Sequence, residues 1–154
     1  MNHTGAAAAL EELRELLAPG SLLTEEADLA VYSYDAAYDR ARPEAVVLAA
    51  SSEDVQRTVA FCRKNRLPFT ARGACTYLSG GCVAVRGGVV LSLARLNRIL
   101  RIDAAAGLAV VEPGVVNLDL SLAVQSSGYY YAPDPSSQKA CTIGGNVAEN
   151  SGGP

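Results

Sequence analysis

Pro133-Asp-Pro-Ser-Ser-Gln-Lys-Ala-Cys-Thr-Ile-Gly-Gly-Asn146, running on to Asn150-Ser-Gly-Gly-Pro154, decides how this chain is read. A sequence that is 49% hydrophobic turns here into small, turn-forming and hydrogen-bonding residues. Glycine permits positive φ and lets a ligand come close to the backbone. Amide N–H groups left free in such a bend can face an anion. Thr142-Ile-Gly-Gly-Asn146 has two readings on physical grounds. It starts a short helix whose free amides meet a ligand, or it is a close helix–strand contact that needs small residues. Asp134, between two prolines, is a stiff carboxylate or part of a surface turn. The sequence stops inside this motif, which suggests one piece of a larger protein.

The pattern upstream is β-α-β. Ala45–Ala50 is a continuous apolar run of the kind buried strands show. Ser51 or Ser52 caps a helix with Glu53 and Asp54 at its positive end and Val55, Val59 and Cys62 as its inner stripe. Pro68–Thr70 is a second short strand. It leads into the turn Arg72-Gly-Ala-Cys-Thr-Tyr-Leu-Ser-Gly-Gly81, where backbone amides can wrap a phosphate and Arg72 can add charge. The alternative for this turn is an ordinary glycine bend with a surface arginine. It is neither a P-loop nor Gly-x-Gly-x-x-Gly, because no Gly-Lys-Ser/Thr follows and Cys75 stands where a glycine is needed. Gly88–Leu93 is a further strand. Arg98–Asp103 and Leu108–Val111 form a hairpin. Pro113-Gly114 is a turn, and Asn117 caps a helix through about Ser126, closed by Gly128. Tyr129–Tyr131 are expected to be strand and core residues.

The first 41 residues read as a helical arm. Leu10, Leu13, Leu16 and Leu17 give one apolar stripe, Pro19-Gly20 ends it, and Thr24 caps a second helix to about Val31. Residues 42–154 form the main domain.

A net charge of −3 gives no electrostatic footprint for nucleic acid. No apolar run is long enough to cross a bilayer, and the start lacks a basic signal region, so a cytoplasmic protein is expected. Cys62, Cys75, Cys82 and Cys141 form no Cys-x-x-Cys pair, so no metal site is assigned and four free thiols are expected. His3, the one histidine, reads as solvated tail.

Leu67-Pro-Phe-Thr-Ala-Arg-Gly73 with Thr76 and Ser79-Gly-Gly81 resembles the first pyrophosphate loop of FAD-linked oxidases of the vanillyl-alcohol-oxidase type, the PCMH-type FAD-binding fold. Val111-Glu-Pro-Gly-Val115 resembles that family's next landmark. Pro133-Asp-Pro-Ser-Ser137 with Thr142-Ile-Gly-Gly-Asn-Val-Ala-Glu-Asn-Ser-Gly-Gly153 resembles the large flavin subunit of bacterial glycolate oxidase and related D-lactate dehydrogenases. The three landmarks occur in order from about Arg42 to the end.

The resemblance implies an α+β fold: a small parallel α/β lobe over about 42–105, then the start of a mostly antiparallel lobe from about 107, truncated. It implies non-covalent FAD. Arg72, Gly73, Ala74, Cys75, Thr76, Tyr77, Ser79 and Gly80 would form the pyrophosphate loop. Pro133, Asp134, Ser136, Thr142, Gly144, Gly145 and Asn146 would form the flavin-side wall. The chain departs from the family at Cys75, where glycine is usual, and at Tyr77, where a small residue is common.

No catalytic residue is assigned, because the family's substrate-handling residues lie largely beyond this stretch. The implied activity is oxidation of a 2-hydroxy acid, glycolate or D-lactate, to the 2-oxo acid with hydride transfer to flavin N5. Implied partners are the substrate, the remainder of the flavin subunit and an iron–sulfur subunit, which would place the protein peripherally at the inner membrane. The alternative is a non-catalytic half-domain that binds a partner chain or flavin weakly. A nicotinamide dehydrogenase is disfavoured, because no Gly-x-Gly-x-x-Gly follows the first strand. Expressed alone, the chain is expected to be poorly soluble.

Overall fold

The computed structural model describes the backbone of residues 3–154 and the side chains of residues 9–154. The expectation of a solvated His3 side chain lies outside the described side chains. The chain forms two compact units. One comprises residues up to Arg72 together with Tyr77–Ser92; the other comprises Gly73–Thr76 and Leu93–Pro154.

The first unit holds α1 (His3–Glu15), β1 (Leu22–Leu23), α2 (Glu26–Val31), β2 (Ala45–Leu48), α3 (Ser52–Asn65), β3 (Phe69–Arg72) and β4 (Val89–Ser92). Its sheet has the order β1-β2-β4-β3. β4 lies parallel to both β2 and β3, and β1 is antiparallel at the other edge. The apolar runs become strands because both sheet faces are covered. Val46, Val47, Val89 and Val90 are fully buried. Each contributes roughly 1.5–3 kcal/mol of burial.

The α3 start is fixed by a reciprocal capping box. Ser51 Oγ accepts from Asp54 N (3.1 Å), while Asp54 Oδ2 accepts from Ser51 N (3.1 Å) and Ala50 N (2.9 Å). The buried stripe of α3 is Asp54, Thr58, Phe61 and Cys62. It is turned from the expected one, because Thr58 satisfies its own hydroxyl on Asp54 O (2.7 Å) and so tolerates the core. One cap also differs. α2 has no side-chain cap, and the Thr24 hydroxyl accepts instead from Arg14 Nη2 (3.3 Å). The two-residue β1 is too short to leave a period in the sequence.

The second unit holds the hairpin β5 (Ile99–Asp103) and β6 (Leu108–Val111), α4 (Asn117–Val124) with a 3₁₀ turn at Gln125–Ser127, and α5 (Ile143–Ala148). A bulge between Ile99 and Arg101 shifts the hairpin register. Val115, Leu120 and Val124 form its core, with Ile99, Ala109, Val111, Tyr131 and Ile143 packed against them. Tyr131 therefore meets the core expectation, whereas Tyr129 and Tyr130 are exposed and none of the three lies in a strand. Among the described residues, no helix is long and apolar enough to cross a membrane.

Candidate functional site

The site is built within the second unit, from the backbone of Gly73–Thr76 and the long bend that ends at α5. α4 anchors that bend. Its first residue, Asn117, is 1% exposed and does not cap. Asn117 N donates to Cys141 O (3.0 Å), its Nδ2 donates to Pro133 O (2.9 Å), and Leu118 N donates to Gln138 O (3.0 Å). The predicted cap is thus a tie. Amides that a free helix end would leave open hold the Pro133–Cys141 carbonyls instead. Asp134 N donates to Gly152 O (2.8 Å), closing the bend on the final glycines, while the Asp134 and Ser136 side chains are exposed.

Thr142 caps α5: its Oγ1 accepts from Gly145 N (3.3 Å). Ile143 N donates to Val115 O and Gly144 N to Pro113 O, both at 2.8 Å. The amides at the start of α5 are therefore occupied within the protein. A Cβ on Gly144 would stand 2.7 Å from Pro113 Cβ and 3.0 Å from Pro113 O. Of the two readings open for this Gly-Gly pair, the structure gives Gly144 the close-contact role. The ligand-competent group is further along. Asn146 is 5% exposed, and neither its amide nitrogen nor its amide oxygen has a protein partner. A buried, unpaired carboxamide costs about 1–3 kcal/mol, which a bound ligand would recover.

The two glycine bends meet. A Cβ on Gly73 would lie 2.6 Å from Thr142 Oγ1. Among the described residues, no protein acceptor takes the N–H of Gly73, Ala74 or Thr76. Cys75 holds φ +55°, a conformation that costs a non-glycine residue roughly 1–2 kcal/mol. Cys75 and Cys82 are disulfide-bonded, which corrects the expectation of four free thiols; Cys62 and Cys141 are free and buried. Burial pushes the Cys62 thiol up to about 11.

Four residues expected in the pyrophosphate loop fall in the first unit. Arg72 Nη1 donates to Tyr34 O (2.8 Å) and Tyr32 O (3.4 Å), and its guanidinium lies 5.2 Å from the Tyr32 ring centroid. Burial lowers its pKa, with Tyr32 the first of the opposing influences. Arg72 thus anchors the Tyr32–Tyr34 segment. Gly80 N donates to the buried Asp35 carboxylate (2.9 Å), which also accepts from Ala37 N (2.7 Å). Tyr77 and Ser79 belong to the same unit.

This donor set suits a diphosphate nucleotide: open amides at Gly73, Ala74 and Thr76 for phosphate oxygens, a threonine beside them, and an unfilled carboxamide one helical turn on. No cluster of three His, Cys, Asp or Glu occurs among the described residues.

Comparison with known proteins agrees. The model of the FAD binding domain family matches residues 43–154. The glycolate oxidase subunit GlcD of Escherichia coli (strain K12) is 47% identical over 94% of this chain. The D-lactate dehydrogenase of Anaerostipes hadrus is 39% identical over 94% of it. The chain spans 29% and 30% of those two proteins. Among solved structures, p-cresol methylhydroxylase superposes with a TM-score of 0.80 at 25% identity, over 96% of this chain and 30% of that one. The match over most of the sequence, the shared fold and the meeting of the two glycine bends lead to one conclusion: the chain belongs to the FAD binding domain family, within the vanillyl-alcohol-oxidase/PCMH fold.

Proposed function

We propose that this chain is the N-terminal FAD-binding part of a flavin-dependent 2-hydroxy-acid dehydrogenase or oxidase, acting on glycolate or D-lactate. The observation that carries the reading is the meeting of the bend that holds the open Gly73, Ala74 and Thr76 amides with Thr142, one helical turn from the unpartnered Asn146 carboxamide. Similarity to a glycolate oxidase subunit and a D-lactate dehydrogenase supports the substrate class. When bound, the flavin would accept hydride from the substrate α-carbon, the step this cofactor class supplies.

The residues of this chain hold and orient. The amides of Gly73, Ala74 and Thr76 bind the diphosphate without a cation. Thr142 fixes the approach of the two bends. Asn146 offers a donor and an acceptor to the polar edge of the bound group. The Pro133–Cys141 bend, held by Asn117, walls the site. No side chain of this chain is assigned to the substrate hydroxyl proton. That base, the carboxylate-binding residues and any iron–sulfur partner would come from the rest of the assembly.

The test is flavin content. The full-length gene product, purified and freed of cofactor, should take up one FAD per chain and regain visible flavin absorbance. Asn146→Leu should retain the fold and lose most of that uptake. Bleaching of the flavin by glycolate, D-lactate or D-2-hydroxyglutarate would identify the substrate. A folded product that takes up no FAD would overturn the proposal.

A further inference from the structure

Two series of hydrogen bonds leave Asn117, and both end at Asn146. The first leaves the side chain. Asn117 Nδ2 donates to Pro133 O (2.9 Å). The next residue, Asp134, donates its N–H to Gly152 O (2.8 Å), and Ser151, the neighbour of Gly152, donates to Asn146 O (2.9 Å). The second leaves the backbone. Asn117 N donates to Cys141 O (3.0 Å), and Asn146 N donates to the carbonyl of the following residue, Thr142 (2.9 Å). Both backbone groups of Asn146 are thus held in a ring that closes at Asn117. The Asp134 link has no slack, since a Cβ on Gly153 would fall 2.1 Å from Asp134 O.

The ring matters because of what it carries. Asn146 is 5% exposed, and its carboxamide has no protein partner. An unpaired buried amide gains by turning toward any polar group it can reach. Holding its backbone on both sides restrains that escape, so the ordering cost falls on the fold and not on the ligand. Asn117 is itself 1% exposed, with its N–H and Nδ2 engaged inside the protein. We infer that Asn117 is a positioning residue for the cofactor: it aims the Asn146 carboxamide while remaining buried itself. This rests on the FAD reading above.

A tie that only closes the Pro133–Cys141 bend would change stability and leave the affinity of the folded protein for FAD untouched. Three changes in the full-length product separate the two roles. Asn117→Ala removes the side-chain arm and keeps the backbone arm. Asn117→Asp keeps the size and replaces the donor with a carboxylate that repels Pro133 O; once protonated, it can donate again. Asn146→Ala removes the group being aimed. Cofactor-free protein is titrated with FAD across pH, and unfolding is recorded alongside.

Asn117→Ala should weaken FAD about tenfold, as expected for the loss of one well-aimed hydrogen bond. Combined with Asn146→Ala it should add little, because residues that act through one another are not additive. Asn117→Asp should bind weakly at neutral pH and approach wild-type affinity as pH falls and the carboxyl protonates. Wild-type affinity in both Asn117 variants at every pH, whatever the shift in unfolding, overturns the inference and leaves the FAD reading intact. So does a double variant whose loss equals the two single losses combined. A folded wild-type product that binds no FAD overturns the FAD reading itself.

Discussion

Gly144→Ala and Gly145→Ala, two adjacent and chemically identical changes, should part company sharply. A methyl at 144 would stand 2.7 Å from Pro113 Cβ, 3.0 Å from Pro113 O and 3.2 Å from Pro113 Cα. Two of these three are backbone atoms in a turn, and they cannot swing away as a side-chain tip can. α5 must back off, and the bonds Gly144 N→Pro113 O and Ile143 N→Val115 O, both 2.8 Å, stretch with it. Overpacking of this kind costs about 1–3 kcal/mol. A weakened hydrogen bond adds about 1 kcal/mol. Replacing glycine by alanine within a helix returns about 1 kcal/mol. The net loss is about 2 kcal/mol.

At 145 the nearest atom to the new methyl is the rotatable hydroxyl of Thr142, at 3.3 Å. The propensity gain then roughly cancels a small adjustment, and the expected change is within about 0.5 kcal/mol. Urea unfolding of the full-length product, followed through the transition that includes this unit, measures both. Gly144→Ala should lower the midpoint and Gly145→Ala should leave it in place. Equal midpoints, or a larger loss at 145, would refute the argument that Gly144 is a packing glycine.

Four further outcomes follow from the geometry. Ala74→Pro removes one open amide and should weaken FAD at least several-fold with little effect on unfolding; unchanged affinity by flavin fluorescence would remove Ala74 from the site. Because no cation lines the cavity that Ala74 and Thr142 border, FAD affinity should change little between low and moderate salt, and a steep fall on adding salt would contradict that arrangement. The Glu112 carboxylate accepts from Arg98 N (2.8 Å), Nε (3.1 Å) and Nη2 (2.7 Å), and these bonds hold it below its ordinary range. A depressed carboxylate stabilises the fold above its unfolded pKa and loses that contribution as pH falls through the folded value, so Arg98→Ala should weaken the protein at neutral pH, and its deficit relative to wild type should shrink in acid; an unchanged deficit from neutral to acid pH would refute this. Cys62, buried with its thiol raised to about 11, should resist alkylation at neutral pH and react only on unfolding; prompt labelling of the native protein at that position would show the burial to be wrong.

Much of the architecture is written locally. The Ser51–Asp54 capping box, the parallel apolar strands and the hairpin through Leu108–Val111 depend on residues a few positions apart, so period and turn chemistry expose them. Three landmarks in order were enough to indicate an FAD-binding domain before any coordinates. What local reading does not supply has one cause. Arg72 precedes a glycine loop, and only the fold shows that its Nη1 donates to carbonyls 38 and 40 residues away. Gly80 looks like a free donor, yet Asp35, 45 residues upstream, accepts its N–H. Asn117 has the form of a cap and serves as a tie to Pro133.

By itself, then, the sequence determined the order of the main strands and helices, the two glycine bends and the class of ligand they suit. Tertiary structure decided which amides remain open, and that Gly144 packs while Asn146 waits unpaired. Backbone conformation is chosen by neighbours in the chain. Hydrogen-bond satisfaction is chosen by whichever groups the fold brings within about 3 Å, and these come from far along the chain.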